Sequence, residues 1–359
     1  MSTVHLAANL RRIRNTRDLT QGQVATRAGL SRAAYNAIEM GTSAARVDTI
    51  GRLADALEVP ATALLEVPVL RDHIRFRAEK RLVSREDILA RVAKWLDDYT
   101  DLEQLVDAAV AFPFDGIARS RARGETRARQ LAAEARRVLG LSESESIGDV
   151  GGLLEEHGIK IGGLDVSSVG FFGLSVGKGN GGPAIVVNTW NRISVERWIF
   201  TAVHELGHLL LHLGAYDVSQ DAEDADQEKE ANLFATHFLM PEEVFRKEWD
   251  QANGLPLVER VLKVKSIFRV SWKAVLYRAL PDGTHHWARF QAEYRAMSGR
   301  TLSATEEPLR LSPFEFKVDR RDRLVRKALE DGRIDQARAA DILGIPADQM
   351  QARAAAWQE

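Results

Sequence analysis

In the run His204-Glu205-Leu206-Gly207-His208, two imidazoles stand four positions apart and a carboxylate directly follows the first. On an α-helix, positions four apart share a face one turn apart, so His204 and His208 can grip a single ion together. Glu205, one step round the helix, reaches the side of that ion where a water would lie. There it can take the water's proton while the metal lowers the water's pKa toward neutrality. A catalytic site of this kind needs a third protein ligand and leaves the fourth place to water. The chain has no cysteine, so every ligand must be a histidine or a carboxylate.

The stretch from Glu228 to Met240 reads as the next helix and offers that third ligand. Glu228 lies 228 − 208 = 20 positions beyond His208, and Glu230 is its rival. Glu228 is preferred because Ala231 and Ala235 share its face, and small residues let two helices close around an ion. Asn232, one turn after Glu228, is placed to orient a ligand by hydrogen bond. This spacing resembles the thermolysin type, with Asn in place of the usual Asp, so a carboxylate behind the ligand histidine is not assured. His212 extends the histidine face by a turn and is expected to support the site or lie at the surface, not to ligate. The plain alternative is a helix whose histidines are incidental. Against it, Ile199, Phe200, Val203, Leu206, Leu209 and Leu210 make this helix apolar nearly all round. Burying two histidines and a glutamate there without a partner is costly. His237, His285 and His286 suggest no partner, and the last two fall in a Gly/Thr/Asp turn.

The elements that must position these residues follow from pattern. Ser194 starts the metal helix, which runs to about Leu213. Phe171 to Val176 and Ala184 to Val187 read as a β-hairpin about the glycine-rich Gly177 to Gly182, with a further strand at Ile159 to Ile161. The strand Ala184 to Asn188 could pair with an extended peptide at its edge, or it could be an ordinary core strand. A helix from Ile147 to His157 precedes the strands, and an acidic stretch (Asp217, Asp221, Glu223, Asp224, Asp226) reads as a solvated loop. Leu257 to Leu280 is helical with a break near Phe268-Arg269-Val270.

The N-terminal region holds a second chemistry. Thr20 caps a helix over Gln21 to Ala28, Gly29 permits a tight turn, and Ser31 caps a helix through Glu39. With a first helix near Leu10, and others over Thr49 to Leu57 and Ala61 to Leu65, this is a helix-turn-helix pattern. A recognition helix presents its N-terminal residues to the bases, here Ser31, Arg32, Ala33 and Asn36. Arg32 suits a guanine edge and Asn36 an adenine or a phosphate. Gln21 is placed for a backbone phosphate. Arg11, Arg12, Arg14 and Arg17 add local positive charge. A protein–protein module on the same scaffold is the competing explanation.

Between these regions, Val67-Pro68 looks like a hinge. Ser84 to Asp87 resembles a capping box opening a long helix with Ile88, Leu89, Val92, Trp95, Leu96 and Tyr99 on one stripe. Arg119 to Val138 reads as an Arg-rich helix with a solvated face, and Arg321 to Trp357 as a second hairpin of helices that packs or recruits a partner.

The 359 residues are too many for one ordinary core. With 45% hydrophobic and 28% charged residues the composition is that of a soluble globular protein. A net charge of −2 gives no global basic signature, so any nucleic-acid contact is local. No window is apolar enough to span a membrane, no export signal opens the chain, and a cytoplasmic location is expected. The expected fold is multidomain and mainly α: a five-helix helix-turn-helix domain (1–66), a helical linker domain (67–140), an α+β zincin-like peptidase domain with a short sheet (141–280) and a helical C-terminal region (281–359).

Taken together, the residues resemble the ImmA/IrrE family of metallo-endopeptidases over Ile147 to about Leu280. The match lies in Ala184 to Asn188, Glu196-Arg197, Phe200-Thr201, His204 to His212, Glu228 to Ala235 and Leu239-Met240-Pro241. The family's third ligand is the first Glu of its Glu-x-x-Ala-Asn stretch, which points to Glu228. The resemblance implies a compact α/β domain bound to zinc, with manganese as the alternative ion. It also implies cleavage of a transcriptional repressor that frees mobile-element or stress genes. Leu6 to Leu65 resembles the phage-repressor-like helix-turn-helix family, which implies a double-stranded operator and suits a homodimer reading paired half-sites. The leading reading is a DNA-binding regulator fused to an endopeptidase that acts on a repressor, a partner or its own linker. The alternatives are a transcription factor whose peptidase-like domain senses a ligand or metal, and an antitoxin-like regulator.

Overall fold

The computed structural model describes residues 6–7, 9–10, 13–14, 17, 19–40, 43–65, 74–78, 85–117, 122–142, 144–168, 170–178, 181–212, 224–280, 284–303 and 305–357. The expected hinge at Val67-Pro68, the capping box at Ser84 and most of the acidic stretch lie outside them. The chain forms two compact units. One gathers Met1–Arg71, Val83–Ala108 and Arg321–Glu359, and the other gathers Asp72–Leu82 with Ala109–Arg320.

In the first unit, helical residues between positions 6 and 14 (α1) are followed by α2 (Gln21–Arg27), α3 (Arg32–Glu39), α4 (Val47–Ala56) and α5 (Ala61–Leu65). Thr20 accepts from the Gln23 backbone N–H while the Gln23 side chain reaches back to the Thr20 N–H, so two otherwise orphaned donors at the start of α2 are satisfied. Gly29 takes φ +64°, a left-handed turn that a Cβ would strain. Leu10, Val24, Tyr35, Leu53, Leu57 and Leu64 are all fully buried and form the core these helices share.

The same unit holds α6 (Arg85–Leu105), whose Tyr99 and Leu102 share an apolar cluster with Val325, Ala328, Ala339 and Met350 of the C-terminal helices. The Arg338 guanidinium reaches Asp98 at 2.8 Å. The expected 67–140 linker is therefore not one body: α6 joins the C-terminal tail. The expected 281–359 region is divided as well, at Arg320. Helical periodicity says that a face must be buried but not against what.

The second unit contains α7 (Gly124–Val138), α8 (Val150–Glu156), α9 (Val195–Leu211), α10 (Ala225–Leu239), α11 (Glu242–Gln251), α12 (Leu257–Phe268), α13 (Trp272–Ala279) and α14 (Thr284–Ser298). Arg269, left-handed at φ +55°, makes the expected break between α12 and α13. His285 and His286, expected in a turn, sit in the first turn of α14. The first unit's C-terminal helices are α15 (Arg320–Glu330), α16 (Gln336–Leu343) and α17 (Ala347–Ala356).

The four-stranded sheet of the second unit comprises β1 (Ile74–Ala78), β2 (Lys160–Leu164), β3 (Phe171–Val176) and β4 (Ala184–Asn188) in the order β1-β3-β4-β2. β3 and β4 form the expected antiparallel hairpin, and β2 runs parallel to β4. The expectation that β4 offers a free edge is wrong: it is internal, paired on both sides and buried along its whole length. Its uninterrupted Ala-Ile-Val-Val run is the pattern of a strand covered on both faces. α9 crosses the sheet so closely that a Cβ on Gly173 of β3 would lie 2.6 Å from Thr201 Cγ2. Among the described residues no helix is long and apolar enough to cross a membrane.

Candidate metal centre and DNA-facing helix

Ser194 opens α9 by accepting from the Arg197 N–H, and every residue from Thr201 to Leu211 is buried. His204 and Glu205 are 0% exposed and His208 is 1% exposed, so these side chains are not polar surface. α10 lies against this helix. Its N-cap Asp224 accepts from two backbone N–H groups, which sets Glu228 in the first turn.

The two imidazoles turn their Nε2 atoms toward each other at 2.9 Å. Glu228 adds Oε2 at 3.2 Å from His204 Nε2 and Oε1 at 3.0 Å from His208 Nε2. All three donors lie within 4.8 Å of one another. Two neutral imidazoles cannot both turn a lone pair inward at that separation unless a cation lies between them, so the arrangement fits a metal ion. Two nitrogens and a carboxylate form a donor set suited to zinc, whereas a harder ion such as manganese prefers more oxygen. Burial alone would raise the Glu228 carboxyl, but its contacts with the His204 and His208 rings outweigh burial and hold it well below the usual carboxylate range.

The supports behind the ligands differ. His204 Nδ1 meets Asn232 Oδ1 at 3.0 Å, so the amide oxygen that replaces the usual carboxylate fixes the ring's tautomer without adding charge. His208 Nδ1 lies 2.9 Å from His212 Nδ1, and His212 Nε2 lies 3.2 Å from Glu230 Oε2. One tautomer chain satisfies both contacts: His208 donates to His212, and His212 donates to Glu230. Glu230 in turn binds Arg127 Nη1 at 3.0 Å and accepts the Gly124 N–H at 2.8 Å. Glu230, the rival ligand, therefore points away from the centre and ends a relay behind His208.

Glu205 Oε2 accepts the Ser175 hydroxyl at 2.6 Å, which holds the carboxylate against β3. A cleft of about 830 Å³ opens beside Glu228 and Asn232, with Phe172, Phe200, Tyr277 and Trp287 among its walls. Ser175, Arg127 and Gly124 were not among the sequence candidates. For Ser175 the small residues on β3 were the only sequence signal. The Arg-rich α7 is not simply solvated, since Arg136 is buried and donates to Phe238 O at 2.9 Å. His237 also has a neighbour, Glu125 Oε1 at 3.7 Å.

On the helix-turn-helix, Ser31 caps α3 and is exposed together with Arg32, Ala33 and Asn36. Gln21 Nε2 donates to Asn36 Oδ1 at 3.1 Å, so these two candidates present themselves as a pair. Arg14 is not part of that surface. It forks onto Glu39, which is 1% exposed, and donates to Leu19 O, so its charge is spent inside the domain. Arg17 donates to Glu58 O, and Arg11 and Arg12 lie outside the described residues.

Two family descriptions match the chain: the IrrE N-terminal-like domain over residues 154–280 and the helix-turn-helix over residues 10–64. No curated protein matches it. The chain is a fusion of a phage-repressor-like helix-turn-helix DNA-binding domain with an IrrE N-terminal-like domain of metallopeptidase type.

Proposed function

We propose that this DNA-binding regulator is also a zinc-dependent endopeptidase, which cleaves a repressor or other partner protein and so relieves repression of stress, mobile-element or defence genes. The observation that carries the reading is Glu205, buried beside the His204–His208–Glu228 cluster and steadied by Ser175. A domain that only senses metal or a small ligand needs the ligands but has no use for a carboxylate at that place.

His204, His208 and Glu228 would hold the ion, which when bound supplies Lewis acidity to water and to the scissile carbonyl. Glu205 takes one proton from the attacking water as its oxygen bonds to the carbonyl carbon. It returns that proton to the amine as the C–N bond breaks. The relay through His212 and Glu230 would keep His208 Nε2 available to a bound ion, and Asn232 would do the same for His204. The cleft beside Glu228 gives room for a substrate side chain. Ser31, Arg32, Ala33, Asn36 and Gln21 would meet operator DNA, with two copies on paired half-sites. A cytoplasmic location follows from that partner.

Glu205→Gln keeps the size and hydrogen bonding of the side chain but cannot accept the proton. The expected result is unchanged zinc content and DNA affinity, with cleavage of the partner and derepression both abolished. Derepression at the wild-type level in cells carrying this variant would remove the proteolytic reading and leave the sensor.

A further inference from the structure

Ser175 ties β3 to the candidate base, and its register partner on the other side is Arg75 of β1. The two strands run antiparallel, with Arg75 opposite Ser175 and Phe76 opposite Leu174. The inner edge of β3 belongs to β4, and the far side of β4 belongs to β2. An extended peptide that seeks backbone hydrogen bonds beside Glu205 can therefore add only at the edge of β3 where β1 lies. β1 is a piece of this chain from the stretch that follows the helix-turn-helix, 175 − 75 = 100 positions before its partner.

The holding of this edge is slight. β1 has five residues, among the described residues it pairs on one side only, and its register slips between Arg77 and Ala78. Against these few hydrogen bonds stands the backbone entropy of ordering the strand's five residues. A sheet edge is a template for any strand, and a segment of a bound protein can replace an internal one by the same main-chain bonds.

We infer that the outer edge of β3 is the surface that takes an extended substrate segment, and that β1 is its intramolecular occupant. The chain thus blocks its own centre until a competing strand displaces Ile74–Ala78. This rests on the peptidase reading for the identity of the competitor, but strand exchange itself requires no catalysis.

The test uses the full chain and a fluorescein-labelled synthetic peptide with the sequence of residues 72–80, followed by anisotropy. An Arg75→Pro/Arg77→Pro variant loses two backbone donors of β1 and should bind the peptide at least tenfold more tightly than the wild type. The same gain should appear when Glu205→Gln is added, which separates edge occupancy from the failure of the chemistry. Equal affinity in the two chains, or no binding by a variant that melts and binds DNA like the wild type, overturns the inference. A second measurement does not depend on the proline variant folding. Excess unlabelled peptide on the wild-type chain should abolish amide-exchange protection over 74–78 while keeping it over 173–176. Protection of 74–78 that persists at saturating peptide also overturns it.

Discussion

Glu228 and Glu230 stand two positions apart on α10 and serve different histidines. The first faces both Nε2 atoms of the centre; the second holds His212, which holds His208. Removing a support behind a ligand usually costs about 10- to 100-fold in metal affinity, whereas removing a ligand costs more. His212→Ala should therefore weaken zinc binding by about that factor while Glu228→Ala nearly abolishes it. Competition with a chromophoric chelator measures both, and equal losses would make His212 a ligand. At this scale much was legible. His204, Glu205, His208 and Asn232 lie within helices, where spacing alone dictates who shares a face. The partner of Glu230 was not legible, because Arg127 is 103 positions away and nothing local couples the two.

At the scale of elements, α9 and α10 approach closely at Gly207. A Cβ there would lie 2.9 Å from Phe234 Cδ1 and 3.4 Å from Ala231 Cα. Overpacking of this kind costs about 1–3 kcal/mol. Gly207→Val should lower stability by that amount and loosen zinc binding with it, as urea unfolding with and without metal would show. The preference for Ala231 near the ligand had this basis, but the glycine opposite it went unread in the sequence. A second junction joins α9 to α12, where Lys265 pairs with the buried Glu196 and lies 3.7 Å from Glu307. Burial pushes the Glu307 carboxyl up to about 7, against the pull of Lys265. A carboxyl whose folded pKa exceeds its ordinary value favours the folded state while protonated. Its contribution is complete below about pH 4.5 and is lost as pH rises through 7. His237, which burial lowers to about 4, has the opposite slope over much of that window. The readout is therefore the difference between Glu307→Gln and the wild type. Across pH 4.5 to 8 the variant should gain roughly 3 kcal/mol relative to the wild type, and a flat difference would place Glu307 at its ordinary pKa.

At the scale of the whole molecule, two arginines of the DNA-binding domain separate folding from recognition. Arg32 is exposed at the start of α3, and Arg14 is locked onto buried Glu39. Arg32→Ala should weaken binding to a duplex selected by the wild-type chain by about 1–3 kcal/mol and leave the melt unchanged. Arg14→Ala should instead destabilise the domain by about 3–5 kcal/mol, because it strands a buried carboxylate. Fluorescence anisotropy and thermal unfolding on both variants check the pair. The sequence by itself determined the helix that carries His204 and His208, the helix that carries Glu228, the strand hairpin and the helix-turn-helix, because periodicity, caps and turn residues act over a few positions. Only the tertiary structure decided that β4 is internal, that β1 takes the edge of β3, and that α6 packs with the C-terminal tail. Those pairings span 24 positions from Lys160 to Ala184, 100 from Arg75 to Ser175 and 240 from Asp98 to Arg338, and they compete on buried area and register without a local mark in the chain.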